Sequence, residues 1–144
     1  MAEVALAEGD KVVATSRTTA ALESLKTQYP PDQLLVLALD VTQPSEITKA
    51  FAQAKTVFGR VDVVFNNAGF GLVAEVEGTP DASAHKLFDT NFWGSANVSR
   101  EAVRFFREEN RPGEGGRLVV NSSLGGISPI TSNGYYTASK FGEW

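Results

Sequence analysis

The sequence predicts an α/β domain built on a doubly wound parallel sheet, and three observations support this prediction. Short apolar runs alternate with helical patterns along all 144 residues, as in successive strand–helix–strand units. These runs are almost continuously apolar, which is typical of strands covered by helices on both faces. Hydrophobic residues make up 42% of the chain and charged residues 21%, the composition of one soluble domain with a single core.

Four apolar runs, each bounded by polar or glycine-containing segments, are predicted to be strands. They cover residues 11–16, 34–39, 61–65 and 117–122. Because a helical pattern separates each run from the next, we expect the strands to be parallel.

Helices are predicted between these strands. The first segment, Val4–Leu6 followed by Gly9, resembles the last turns of a helix that ends at a glycine. A helix over residues 20–29 ends at the prolines that follow it. The clearest helix lies between Pro44 and Gly59, where apolar residues recur at helical spacing. A further helix begins near Tyr135, and a long one over 82–109 places these residues on one face: Leu87, Phe88, Asn91, Ser95, Val98, Ala102 and Phe105.

Composition disfavours several functional classes. The net charge of −4 argues against a basic nucleic-acid-binding surface. Without cysteine there is no thiolate nucleophile, and the one histidine, His85, cannot form a metal site alone. The N-terminus is not typical of a signal peptide, and the longest apolar run, 34–39, is too short to span a membrane. We therefore expect a cytoplasmic protein that binds neither membranes nor nucleic acid.

Three residues near the C-terminal end have the spacing expected of an acid/base site. Tyr136 and Lys140 are four residues apart in a predicted helix, so they share a face. A nearby cation favours the ionised phenolate, which suits general acid and base catalysis. Ser123 lies thirteen residues before Tyr136, after a predicted strand, where its hydroxyl could hold a substrate oxygen. A Tyr-x-x-x-Lys spacing alone also arises by chance, so the surrounding motifs must show whether it is catalytic.

That context consists of three further groups of polar residues. Asn66-Asn67-Ala68-Gly69 follows the third predicted strand, Asp40-Val41 follows the second, and Asn91 lies in the long helix. With Ser123 and Tyr-x-x-x-Lys, these motifs occur in the order of the classical short-chain dehydrogenase/reductase family, which the chain resembles over essentially its whole length. The resemblance implies a Rossmann-like fold, with residues 1–144 as a partial NAD(P)-binding domain.

The resemblance also implies roles for individual residues. Tyr136 would give and take the proton at the substrate oxygen, and Lys140 would assist it and bind the nicotinamide ribose. Ser123 would orient the alcohol, ketone or aldehyde, and Asn91 would support a water in the proton relay. The adenosine side of the cofactor would be bound by residues after the second and third strands, namely Asp40, Val41, Asn67, Ala68 and Gly69. For Asp40 and Asn67 the alternative is ordinary turn chemistry at strand ends.

The end of the first predicted strand indicates which cofactor is used. NAD-preferring sites place an acidic residue there, to bind the ribose 2′-hydroxyl. This chain instead has Ser16 and Arg17, a hydroxyl and a cation that could bind a 2′-phosphate, which favours NADP. The alternative is that Arg17 is simply a solvated surface residue.

Residues 69–74 match a dinucleotide-binding pattern, Gly-x-Gly-x-x-Ala, after a predicted strand. The acidic and proline-containing residues that follow do not begin a helix, so no helix N-terminus is available for a pyrophosphate. We interpret this segment as the mobile rim of the site.

The family's first strand and glycine-rich turn would precede Ala2, and its last strands and substrate loop would follow Trp144. The resemblance therefore implies an incomplete sheet without its central strand. We expect the 144 residues alone to be marginally stable and inactive, and the complete form to be able to form homo-oligomers. Two alternatives stay open: an inactive short protein that acts as a binding or dimerisation module through the 82–109 helix, and a flavodoxin-like domain in which Tyr136 and Lys140 are structural.

Overall fold

Parallel strands arranged in two separate pairs form the framework of this computed structural model, which describes residues 1–142. Two 3₁₀ turns, Thr19–Leu22 and Leu124–Gly126, and one π-helical segment, Asp89–Gly94, connect regular elements. The helices and strands are α1 (Ala2–Ala7), β1 (Val12–Ser16), α2 (Glu23–Gln28), β2 (Leu34–Ala38), α3 (Pro44–Phe58), β3 (Val63–Asn66), α4 (Asp81–Phe88), α5 (Ser95–Glu108), β4 (Arg117–Val120) and α6 (Gly134–Phe141).

The strand pairing confirms the predicted α/β class with parallel strands. Strand β1 pairs with β2 from Val12 opposite Leu34 onward, and β3 pairs with β4 from Val63 opposite Arg117 onward. Within residues 1–142, no strand joins the two pairs. This division agrees with the expected incomplete doubly wound sheet.

Two apolar cores pack against the strands. Leu6 of α1 and Leu25 of α2 pack with Ala14 and Leu34 of the first pair, and all four are buried. The second core lies between the helices α3 and α5, strand β3 and the segment that follows β2. Its buried members are Val41, Ile47 and Val98, and Leu39, Phe51 and Val64 pack against them.

The expectation that both faces of every strand are covered is wrong for β3 and β4. Val64 points into the second core, but Val63 and Phe65 on the opposite face are 56% and 38% exposed, and Val119 of β4 is 46% exposed. Successive side chains of a strand point to opposite faces, so helices on one side cover only alternate residues. Among the described residues, α5 packs on the Val64 side of this pair.

The predicted helices occur with small changes at their ends. Helix α3 begins at Pro44 and ends before Gly59, whose φ of +80° is readily adopted only by glycine. Gly9, with φ +90°, likewise follows α1. The helix predicted over 20–29 starts as the 3₁₀ turn Thr19–Leu22, and it becomes α-helical at Glu23.

Residues 82–109 are helical almost to the end of that range, but they do not form the single α-helix expected from the sequence. A π-helical segment, Asp89–Gly94, separates α4 from α5. The predicted inward face is nevertheless correct, because Leu87, Asn91, Val98 and Ala102 are all buried. A π segment adds a residue to a turn without changing residue types, so a periodicity pattern does not reveal it.

Neither a membrane span nor a metal cluster is found in the described part of the chain. Within residues 1–142, the helices are too short or too polar to cross a bilayer. No three His, Asp or Glu side chains in that range lie close enough together to bind a metal ion.

Candidate active site

Lys140 is buried at the inner side of α6, with 6% of its surface exposed. Its Nζ donates a hydrogen bond to the carbonyl oxygen of Asn121, directly after β4, at 3.1 Å. Helix α6 approaches the Leu124–Gly126 turn closely, because a Cβ on Gly126 would lie 3.1 Å from the Lys140 carbonyl oxygen. Glycine at this position therefore allows the helix carrying Lys140 to pack against the end of β4.

Tyr136 and Ser123 both contact the same short turn. A Cβ on Gly125 would lie 3.1 Å from Cε1 of Tyr136, so the tyrosine ring packs on the glycine backbone. The Ser123 hydroxyl oxygen accepts a hydrogen bond from the Gly125 amide at 3.2 Å. This contact uses the oxygen as an acceptor and leaves the hydroxyl proton able to donate to a substrate oxygen.

Asn91 is fully buried in the π-helical segment and holds the loop that follows β3. Its Oδ1 accepts from the Phe70 amide at 3.0 Å, and its Nδ2 donates to the Phe70 carbonyl at 2.9 Å. Nδ2 also donates to the hydroxyl of Ser139 in α6 at 3.2 Å. The side chain therefore fastens the loop to the helix that carries Tyr136 and Lys140.

The loop after β3 packs against Asn91 and Lys140. A Cβ on Gly69 would lie 3.2 Å from Asn91 Oδ1 and 3.7 Å from Lys140 Nζ, so the absence of a side chain leaves space beside both groups. Asn67 Oδ1 accepts a hydrogen bond from Asn121 Nδ2 at 2.9 Å. Ala68, the residue between Asn67 and Gly69, is exposed. The structure thus brings Asn67 and Gly69 close to the residues around Lys140.

Residues 69–74 begin no helix, as expected, and the first helix after them is α4. The rim is attached to the loop before α6. The Ala74 amide donates to the Ser132 carbonyl at 2.8 Å, and the Ser132 hydroxyl donates to Glu75 Oε1 at 2.6 Å. Ser132 has φ +56°, a left-handed conformation that is uncommon outside glycine.

The remaining candidates lie at the carboxyl ends of the first strand pair. Ser16 ends β1, and its hydroxyl accepts a long hydrogen bond from the Thr18 amide at 3.4 Å. Arg17 follows it and is exposed to solvent. Its positive charge is close enough to contribute to lowering the pKa of Asp40, so a cation and a carboxylate lie near one another at this edge.

Asp40 forms the turn that sequence reasoning gave as its alternative role. Its Oδ1 accepts from the Thr42 amide at 3.0 Å and from the Thr42 hydroxyl at 2.8 Å. These bonds hold the pKa of Asp40 below its ordinary value, with a smaller contribution from Arg17. The side chain of Val41 is in the second core, so a nucleotide could contact only its backbone.

Sequence reasoning missed two residues of this site, Asn121 and Ser139. Asn121 donates to Asn67 and accepts from Lys140, and Ser139 bonds Asn91. The available signal was their position: Asn121 lies at the end of a predicted strand, and Ser139 is a polar residue next to Lys140 in the predicted helix.

The chain is similar to known proteins over nearly all its length. Residues 1–143 match the family model described as short chain dehydrogenase. An oxidoreductase of Schizosaccharomyces pombe, described as uncharacterized, is 41% identical over 98% of this chain and 46% of its own length. The oxidoreductase calM of Penicillium decumbens is 37% identical over 96% of this chain and 45% of its own length. The chain therefore spans just under half the length of these relatives.

Comparison of folds gives the same result. The crystal structure of a short-chain dehydrogenase from Streptomyces avermitilis superposes with a TM-score of 0.88 at 35% identity. The match covers 99% of this chain and 51% of that one. The predicted Rossmann-like fold is thus confirmed at the level of the family.

Proposed function

This chain belongs to the short-chain dehydrogenase family, and we propose that the complete protein transfers a hydride between NADP(H) and an alcohol or carbonyl substrate. The observation that carries the proposal is the position of Lys140. Its ammonium group is buried between the Asn121 carbonyl and Gly69, one helical turn from Tyr136. A buried cation on the same helix face as a tyrosine, one turn away, can stabilise the phenolate of a tyrosine acid/base.

The proton chemistry follows from the side chains themselves. In the reducing direction, Tyr136 donates its hydroxyl proton to the substrate oxygen, and the Lys140 cation stabilises the phenolate that remains. Ser123 donates a hydrogen bond to the same oxygen, which orients it toward Tyr136. In the oxidising direction the proton moves back to the phenolate. Asn91 supports this arrangement through its bonds to Phe70 and Ser139.

The residues present fit a nicotinamide dinucleotide, which would supply or accept the hydride when bound. Gly69 leaves space beside Lys140, whose ammonium group could bond a ribose hydroxyl. We assign Asn67, Ala68, Gly69, Asp40 and the backbone of Val41 to the adenosine side. We assign the binding of a 2′-phosphate to Ser16 and the exposed Arg17 at the end of β1, an assignment that favours NADP over NAD.

The setting of this reaction is also part of the proposal. A small-molecule alcohol, ketone or aldehyde is the substrate, the protein is cytoplasmic, and the complete form is able to form homo-oligomers. Residues 1–144 alone are inactive, since within residues 1–142 no strand joins the β1–β2 pair to the β3–β4 pair. Unpaired strand edges favour misassociation over a stable fold.

The test is a turnover assay of the full-length protein with NADPH and a panel of aldehydes and ketones. Tyr136→Phe retains the ring but removes the exchangeable proton, so turnover should fall by about 100-fold or more. Tyr135→Phe is the matched control, because it removes the same hydroxyl from the adjacent residue, and it should retain wild-type turnover. A Tyr136→Phe variant as active as Tyr135→Phe would contradict the proposed role.

A further inference from the structure

Ser139 is a fully buried hydroxyl that bonds two different segments of the candidate active site. It is 0% exposed. Its Oγ donates to the Tyr136 carbonyl oxygen at 2.8 Å and accepts from Asn91 Nδ2 at 3.2 Å. Burial of a hydroxyl is costly unless it is hydrogen-bonded, and here both its donor and acceptor functions are used. No step of the proposed proton chemistry requires this hydroxyl.

The bonds of Ser139 complete a continuous path across the site. Asn91 uses its remaining polar groups on the amide and carbonyl of Phe70, directly after Gly69. The path therefore runs from the loop after β3, through the π-helical segment, to the first turn of α6. The Asn91 and Ser139 side chains are both without solvent exposure, so water cannot readily replace either partner.

We infer that Ser139 is a positioning residue, which locks α6 to Asn91 and thereby fixes Tyr136 and Lys140 relative to the loop at Asn67–Gly69. Tyr136 lies one turn before Ser139 and Lys140 directly follows it, so a shift of Ser139 moves both. The catalytic consequence rests on the proposed function. A displacement of about 1 Å in a catalytic group can lower a rate about 100-fold, which makes such a lock consequential.

The protein contains a matched control for this inference. Ser95, at the start of α5, is 6% exposed, and its hydroxyl accepts from Asn66 Nδ2 at 3.1 Å. Ser95→Ala and Ser139→Ala therefore each delete a buried serine hydroxyl that accepts from an asparagine amide. Only Ser139 joins that amide to the helix of Tyr136. A purely structural role predicts similar effects of the two substitutions.

The experiment compares Ser139→Ala, Ser139→Cys and Ser95→Ala in the full-length protein. Hydrogen exchange is measured for the loop after β3, where the Phe70 amide donates to Asn91. Turnover, KM for NADPH and KM for the substrate are measured with the best substrate found. Ser139→Ala should accelerate exchange at Phe70 and lower kcat about 10- to 100-fold, with KM for NADPH changed less.

Ser139→Cys retains the size of the side chain and a weak donor and acceptor, so its effects should be intermediate. If Ser139→Ala does not fold, Ser139→Cys compared with Ser95→Ala decides the question by the same readouts. Exchange at Phe70 and changes in kcat and KM equal to those of Ser95→Ala would overturn the inference. Faster exchange at Phe70 in a protein that reduces no carbonyl compound would support the lock and refute the proposed function instead.

Discussion

Gly94, at the junction of the π-helical segment and α5, packs directly against the second core. A Cβ built on Gly94 would lie 2.6 Å from Val41 Cγ2 and 3.2 Å from the Asp89 carbonyl oxygen. Val41 is 8% exposed and packs with Ile47 and Val98, so its methyl group cannot turn away freely. Gly94→Ala therefore forces a shift of about 1 Å between two packed elements to restore ordinary carbon contact distances.

The magnitude follows from two opposing effects. Overpacking a buried site costs about 1–3 kcal/mol, whereas alanine is about 1 kcal/mol better than glycine at a helical position. Gly94 has helical dihedral angles, φ −60° and ψ −48°, so the second effect applies in full. Gly94→Ala should lower the free energy of unfolding slightly. Val41→Ala removes the methyl carbon at 2.6 Å and leaves only the Cβ, at 3.2 Å, so in that background Gly94→Ala should be much less destabilising or neutral.

The measurement is a double-mutant cycle of denaturant unfolding in the full-length protein. The expected coupling between Gly94→Ala and Val41→Ala equals the relieved overpacking, about 1–3 kcal/mol. Independent sites are additive to within about 0.5 kcal/mol. A coupling below that limit would show that the Gly94–Val41 contact does not constrain the fold, and the reasoning from close packing would fail.

Three further predictions concern the polar residues of the site. Lys140→Met should lower turnover about 100-fold, since the phenolate of Tyr136 loses the cation that stabilises it; a variant with wild-type turnover would contradict this. Arg17→Ala should weaken NADPH binding by about 1–3 kcal/mol and NADH binding much less, as measured by calorimetry, whereas equal losses would exclude the phosphate contact. Asp40→Asn should lower stability only where the carboxylate is ionised. The pKa of Asp40 in the folded protein is below 3.8, so the stabilisation by its carboxylate is present above that pH and is lost as the pH falls through the lowered pKa. Unfolding curves of wild type and variant are measured over a pH series. A stability difference that persists at the acidic end of the series would contradict the prediction.

Strand and helix positions were predictable because they depend on local patterns. The run between Pro44 and Gly59 combines a proline at the first turn, apolar residues at helical spacing and a glycine in the left-handed conformation, and the structure has that helix. The buried positions Asn91 and Val98 were likewise expected on the inward face of the long helix. The motif residues Tyr136 and Lys140 share a helix as their spacing predicted.

The features that sequence did not reveal depend on contacts between distant segments. The π-helical segment is defined by backbone geometry around Asn91, which residue types do not specify. The exposed face of β3 is as apolar as the covered one, so Phe65 and Val64 cannot be distinguished until the helices are placed. The role of Ser139 arises from a partner 48 residues away in the chain.

The π-helical segment connects the two parts of the proposed cofactor site. Gly94 at its end contacts Val41, which directly follows Asp40 at the adenosine side. Asn91, three residues earlier, holds Phe70 and Ser139 at the side of the acid/base pair. Asn91 and Gly94 both lie within the π segment, so this one wider turn makes both sets of contacts. The same glycine contact and amide bonds that stabilise the fold therefore set the spacing between the two ends of the site.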